Sequence, residues 1–352
     1  MTYELLYNLA PDAIHGVGIS SYSTLKSAAM LGVIEDAYLG QRGREETDAT
    51  STRGMDQQLY GCMSMTTENT RAVRQVFIHQ ANGADMWPAA DHVAVEAPLE
   101  IRLSYRADDS FVEKTICVTM RTPGQDVELV LGYLYAEGVI RTLSDVAQLP
   151  KDEVRCGEDA EVLTIELGIG VSGDLRRLDR NVFTSSSCGV CGIPSLDALA
   201  QAACPDLPAP RAMLDRGIVP LLPSTLYDRQ VAFQQTGGLH AAALFDTSGR
   251  LLRVREDVGR HNAMDKLIGS CLLDGVSLHE RIVLVSGRAS YELVQKVLVA
   301  GVPILAAVGA PSSLAVSLAQ AHGLTLIGFV RGEQYNIYHG EERLLPQNID
   351  VM

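Results

Sequence analysis

The sequence has little positive charge. Its 29 Lys and Arg face 43 Asp and Glu, a formal net charge of −14 over 352 residues. A broad nucleic-acid surface needs the opposite, clustered basic residues, so that class is excluded while a local pocket for phosphates is not. Long apolar runs are also missing, and none approaches the ~20 residues that span a bilayer. The opening MTYELLYNLAP carries Glu4 and no basic stretch ahead of an apolar core, which makes it a poor secretory signal. Seven cysteines (Cys62, Cys117, Cys156, Cys188, Cys191, Cys204, Cys271) lie scattered in a chain too long to need stapling. They read as thiols of a reducing compartment rather than a disulfide framework. With 47% hydrophobic and 20% charged residues, the expectation is a soluble, cytoplasmic, globular protein of about two domains.

Residues 1–75 are expected to be a poorly structured extension. YLGQRGREETDATSTRGMDQQLYG is polar and weakly patterned, and STLKSAAMLGVI is long enough for one short amphipathic helix. Met65 opens a stretch that would itself make a protein start, so the leading segment is expected to be dispensable. From Val93 the pattern changes. VAVEAPLEIRLSY and KTICVTM alternate as strands do, RTPGQD supplies a turn, DVELVLGYLYAEGVI a helix with apolar positions at Leu129, Leu131 and Leu134, and EVLTIELG a further strand. This predicts a small α+β domain over residues 76–175.

Residues 176–345 are more regular. HAAALFD, TSGR and LLRVRED read as a hairpin and HNAMDKLIGSCLL as a helix. Strict alternation follows: RIVLVSG, SYELVQKVLVA, VPILAAVG, SSLAVSLAQAH and LTLIGFV. The strands are near-continuous apolar runs, which predicts helices over both faces and, with right-handed crossovers, a three-layer α/β sandwich. Ligands of open α/β sheets bind beyond the carboxyl ends of the strands. Those ends carry Ser286-Gly287-Arg288, Gly309-Ala310-Pro311-Ser312-Ser313 and Phe329-Val330-Arg331-Gly332, small residues with hydroxyls and arginines that suit an anion. The plain alternative for any one loop is helix capping and turning.

The chemistry concentrates in RNVFTSSSCGVCGIPSLDALA, where Cys188 and Cys191 stand three apart among serines and glycines ahead of a helical pattern. A zinc site needs four ligands. Cys204 has no partner beside it, and no His-x-Glu precedes the pair, so only distant ligands would complete a tetrahedron. A helix start lowers a thiol's pKa, so a redox pair and a sulfur-handling pair both remain open. A second polar cluster, REDVGRHNAMDK, crowds Asp257, Arg260, His261, Asn262, Asp265 and Lys266 into ten residues. Capping and i,i+4 pairing, His261 with Asp265 and Asn262 with Lys266, is one reading. A site with Arg260 and His261 facing it is the other. His240, in TGGLHAA, reads more simply as a structural histidine.

FTSSSCGVCGIPSLDAL closely resembles the signature of the FdhD family of formate dehydrogenase accessory sulfurtransferases. The likeness extends to VAVEAPLEIRL, MRTPGQDVELVLGYLYAEGVI, TGGLHAAALFD, REDVGRHNAMDKLIG, VSGRASYELVQK, GAPSSLAV and LTLIGFVRGEQYNIY, over roughly residues 75 to 340. The resemblance implies a cytidine-deaminase-like larger domain, without the deaminase zinc motif, that carries the CxxC loop at its start. It implies a sulfur carrier that receives sulfur from a cysteine desulfurase as a persulfide on Cys188, aided by Cys191. The carrier passes the sulfur to bis-molybdopterin guanine dinucleotide for formate dehydrogenase, binding that cofactor as its client. It implies cofactor contacts along Phe329, Val330, Arg331, Gly332, Glu333 and Gln334, with Ser312, Ser313, Arg288 and His261 as further contacts. No structural metal is expected, and a homodimer is typical of the family. The other readings kept are a cofactor-binding chaperone without obligatory sulfur transfer and a thiol-disulfide oxidoreductase.

Overall fold

The computed structural model describes residues 69–107, 110–149, 155–156, 161–169, 171, 204–208 and 214–345. The chain divides into two units, Met1–Met65 and Thr66–Met352, and every described residue lies in the second. The helix expected in STLKSAAMLGVI and the Cys188–Cys191 loop lie outside the described residues.

The described chain opens earlier than its alternating pattern suggests. Strands β1 (Val73–Asn82) and β2 (Asp85–Ala94) pair antiparallel over ten positions. Their two-residue turn places Gly83 at φ 62, where a side chain would strain the backbone. Next come β3 (Ala97–Ala107) and β4 (Ser110–Arg121), then helix α1 (Asp126–Ala136), β5 (Val146–Gln148), β6 (Arg155–Cys156) and β7 (Glu161–Leu167). These strands form a mixed sheet in the order β4-β3-β7-β5, with β6 against β7. Alternate residues Leu99, Ile101, Leu103, Leu163, Ile165 and Leu167 point to one face and bury with Leu129, Leu131 and Leu134 of α1.

The remaining elements are β8 (Leu214–Asp215), α2 (Leu222–Tyr227), α3 (Val231–Thr236), β9 (His240–Phe245), β10 (Leu251–Asp257), α4 (Arg260–Leu273), β11 (Ile282–Val285), α5 (Tyr291–Val299), β12 (Ile304–Ala307), α6 (Ser313–His322), β13 (Thr325–Arg331), β14 (Gln334–His339) and β15 (Leu344–Leu345). A six-stranded sheet runs β10-β9-β11-β12-β13-β14, with β11, β12 and β13 mutually parallel. The fold is therefore mixed α/β. Two features differ from the sequence expectation. Strands β11, β12 and β13 are neighbours in chain order, so both right-handed crossovers deliver their helices to one face, where α4 joins α5 and α6. The opposite face is closed by a 3₁₀ turn at Arg216–Leu221 and by α2, through Val219, Leu222 and Leu226. Strand β14 was also not expected. It folds back on β13 through Gly332 and Glu333.

Helix α4 is the centre of the assembly. Residues Ala263 to Cys271 are all buried, because the helix lies between the six-stranded sheet and α1. Gly132 of α1 and Gly269 of α4 allow the close crossing. A Cβ on Gly132 would stand 1.9 Å from the Asp265 carbonyl oxygen, and one on Gly269 1.8 Å from that of Glu128. Among the described residues no helix is long and apolar enough to cross a membrane.

Candidate functional site

The carboxyl ends of the parallel strands are sewn into one edge by backbone hydrogen bonds. The Gly309 N–H donates to Gly287 O (3.0 Å), Ala289 N–H to Ala310 O (3.2 Å), Ser312 N–H to Ala289 O (3.0 Å) and Phe329 N–H to Gly309 O (3.1 Å). Small residues make this contact possible, since a Cβ on Gly309 would meet Gly287 O at 3.0 Å. The loops carrying Arg288, Ser312 and Phe329 are thereby contiguous. Strand β9 enters the same edge antiparallel, with His240 opposite Asp257 of β10, and α4 starts three residues later at Arg260. Helices α4, α5 and α6 all begin here, so their N-terminal partial positive charges converge.

The polar cluster at the start of α4 divides into two groups. Asp257, Asn262, Asp265 and Lys266 hold the interior together. Lys266 Nζ lies 2.7 Å from Asp257 Oδ2 and donates to Thr122 O at 2.8 Å, and the Thr122 N–H donates to Asp257 Oδ2 at 3.1 Å. Asn262 Nδ2 donates to Met120 O at 2.8 Å, and Lys296 Nζ donates to Asp265 Oδ1 at 2.7 Å. The expected pairs His261–Asp265 and Asn262–Lys266 are not made. The partners come instead from β4, α5 and the turn before α1, because α4 is buried between layers and its charges must be satisfied across them.

Arg260 and His261 form the other group. His261 Nε2 lies 2.8 Å from Glu292 Oε2 and 3.2 Å from Ser290 Oγ, with both His261 and Glu292 largely enclosed. Ser290 precedes α5 without capping it by its side chain, whereas Ser312 caps α6 by accepting from the Ala315 N–H. The His240 ring packs over Gly287, and its pKa is pushed down by burial first and then by the charge of Arg260. Ser290 and Glu292 were not singled out from sequence. Their signal was the helix-start serine of ASYELV and an acidic residue in the first turn.

The FVRGEQ segment lies partly inside the sheet rather than beyond it. Phe329, Val330 and Arg331 belong to β13, and Phe329 takes φ 54 where the register with β14 shifts. Val330 turns into the core, while Phe329 and Arg331 project outward with the guanidinium 5.9 Å from the ring centre. Gly332 (φ 52) and Glu333 form the hairpin turn before Gln334, and Arg331 through Gln334 are exposed, as are Arg288, Ser312 and Ser313. The structure therefore brings Arg288, Ser312, Ser313, Phe329 and His261 to one edge.

The thiols of Cys117, Cys204 and Cys271 are poorly suited to nucleophilic work. Burial pushes Cys117 up to about 12 and Cys204 to about 11, and it raises Cys271 as well. A nucleophilic cysteine needs the opposite, a lowered pKa and exposure.

The FdhD/NarQ family model matches residues 94–345. The sulfur carrier protein FdhD of Streptomyces avermitilis is 46% identical over 261 residues, covering 72% of this chain and 89% of that protein. The sulfur carrier protein FdhD of Sulfurisphaera tokodaii is 44% identical over 256 residues, with 72% and 92% covered. A crystal structure provisionally assigned as a formate dehydrogenase accessory protein of Desulfotalea psychrophila superposes with a TM-score of 0.59 at 24% identity, over 78% of this chain and 100% of that one. At that identity the likeness concerns the fold.

Proposed function

The chain belongs to the FdhD/NarQ family, and from that premise we propose that it is a sulfur carrier serving the maturation of formate dehydrogenase. The carrying observation is the match to curated sulfur carriers, within a family segment, residues 94–345, that includes the Cys188-Gly-Val-Cys191 motif. The suppressed thiols of Cys117, Cys204 and Cys271 support assigning sulfur handling to that pair.

In this reading the Cys188 thiolate attacks the terminal sulfur of a cysteine desulfurase persulfide. A sulfur–sulfur bond forms on Cys188, the desulfurase S–S bond breaks, and the desulfurase thiolate leaves. Attack by Cys191 on the Cys188 sulfur then forms a Cys188–Cys191 disulfide and releases the outer sulfur as hydrosulfide to the acceptor. A cellular dithiol returns the pair to thiols by taking up the disulfide and becoming oxidised. The acceptor is bis-molybdopterin guanine dinucleotide, a polyanion. The edge of β11, β12 and β13 suits it through Arg288 and Arg331, the open start of α5, and the exposed Phe329 ring as an apolar surface for a guanine. The carrier works in the cytoplasm beside the desulfurase and formate dehydrogenase, as a homodimer, on a cytidine-deaminase-like layering.

Formate dehydrogenase maturation in cells lacking the endogenous carrier tests this. Cys188→Ala is expected to abolish maturation while leaving binding of guanosine diphosphate, a fragment of the cofactor, unchanged. Maturation surviving in Cys188→Ala with binding intact would instead mark a cofactor chaperone.

A further inference from the structure

The β1–β2 hairpin stands apart from the layers of the fold. Its two ten-residue strands form a sheet of their own, and no other strand among the described residues borders either edge. Helix α3 packs against the hairpin, and just beyond that helix a Cβ on Gly238 would stand 3.4 Å from the Ala94 Cβ. Farther out the ribbon is bare. The register places Phe77, Ala81, Met86, Pro88 and Ala90 on one face, all exposed, Phe77 by 90% and Met86 by 69%. A two-stranded ribbon is marginal in water and gains stability from further strands or a covering layer. Exposed apolar faces of this kind mark contact surfaces.

The two edges of the ribbon are not alike. Along β2, Pro88 has no N–H to offer and Asp85 and Asp91 add charge, devices that keep an edge strand from pairing. Strand β1, VRQVFIHQAN, has no proline to interrupt its row of N–H and C=O groups, and Arg74 is its one formal charge. Charge also selects the partner. Two copies of a chain of net charge −14 repel at most approaches. Strand β1 is a place where they meet without opposing carboxylates. An antiparallel edge pairs with itself about a two-fold axis perpendicular to the sheet, because the same strand then supplies both donors and acceptors. Such an axis through Phe77, in the middle of β1, keeps the side-chain faces aligned. It sets Phe77 against its own copy and Arg74 against the partner's Gln80, so the like charges do not oppose each other.

We propose that β1 is the docking edge for a second copy of this chain, giving a four-stranded antiparallel sheet across a two-fold axis with the Phe77 rings packed together at its centre. The inference rests on the homodimer of the reading above and deepens it by naming the surface. It does not depend on sulfur transfer.

Sedimentation velocity of the full chain over a concentration series tests it. Wild type is expected to sediment as a dimer. Phe77→Asp sets two like charges opposite each other and is expected to weaken the dimer about tenfold or more. Its circular dichroism spectrum is expected to match wild type, because a side chain 90% exposed supports no core. Phe111→Asp makes the same change at an exposed position at the start of β4 and is expected to stay as dimeric as wild type. Phe77→Cys with a mild oxidant is expected to link two chains through position 77, identified by peptide mapping. A monomeric wild type, or a Phe77→Asp chain as dimeric as wild type, overturns the proposal. If that dimeric variant also loses sulfur loading from a cysteine desulfurase, the face belongs to the desulfurase instead. Persulfide loading of Cys188 on the same preparations separates the two ideas. Loading on a dimer indifferent to Phe77 sinks the β1 edge alone, whereas a Phe77-dependent dimer without loading sinks the carrier reading alone.

Discussion

At the scale of single residues, burial decides how readily a thiol ionises. Cys117, Cys204 and Cys271 share a thiol with Cys188 and Cys191, but burial keeps the first three protonated well above neutral pH. Native-state alkylation at pH 7.5 with peptide mapping is expected to label Cys117 and Cys271 only after denaturation. Rapid native labelling of either would contradict the burial account. Sequence gave a fair account of residue types here and a poor one of partners. REDVGRHNAMDK was legible as a dense polar cluster, but not its division, because the partners Met120, Thr122, Glu292 and Lys296 lie 31 to 144 positions away. Pairings across layers leave no trace in local spacing.

At the scale of elements, periodicity carried most of the fold. The alternation of strand and helix from His240 to Val330 was legible because each segment buries an unbroken apolar set. The β1–β2 hairpin was not, since its strands form a two-stranded sheet with Phe77 90% exposed and no consistent buried face to imprint alternation. Strand β14 was missed for a similar reason, with exposed residues interrupting its pattern. The α1–α4 crossing depends on Gly132 and Gly269, whose meaning emerges only from the approach of two backbones. Gly269→Ala forces a methyl into the Glu128 carbonyl. It is expected to cost at least about 2 kcal/mol by overpacking, read as a lower urea midpoint at unchanged slope. A midpoint equal to wild type would mean that the crossing yields easily.

At the scale of the whole described unit, the two sheets are joined through buried polar contacts rather than apolar packing alone. Thr122 at the end of β4 is locked to Asp257 and Lys266, and Arg255 pairs with Glu128 of α1. Removing one partner of such a pair strands a buried charge. This seam sets the start of α4, and with it Arg260 and His261, against the end of β11 and the start of α5. The edge formed by the strand ends is thus a product of the joint, legible in sequence as strand-end loops rich in Gly, Ser and Arg but not as a joint. The family was legible from long motifs in order, over roughly residues 75 to 340, and the family match spans 94–345.

The most direct test of the sulfur-carrier account is intact-protein mass spectrometry of the full chain after incubation with a cysteine desulfurase and cysteine, comparing wild type, Cys188→Ala and Cys191→Ala. The account predicts a reducible gain of one sulfur, about 32 Da, on wild type, present in Cys191→Ala and absent in Cys188→Ala. No gain on wild type, or an equal gain in Cys188→Ala, would contradict it.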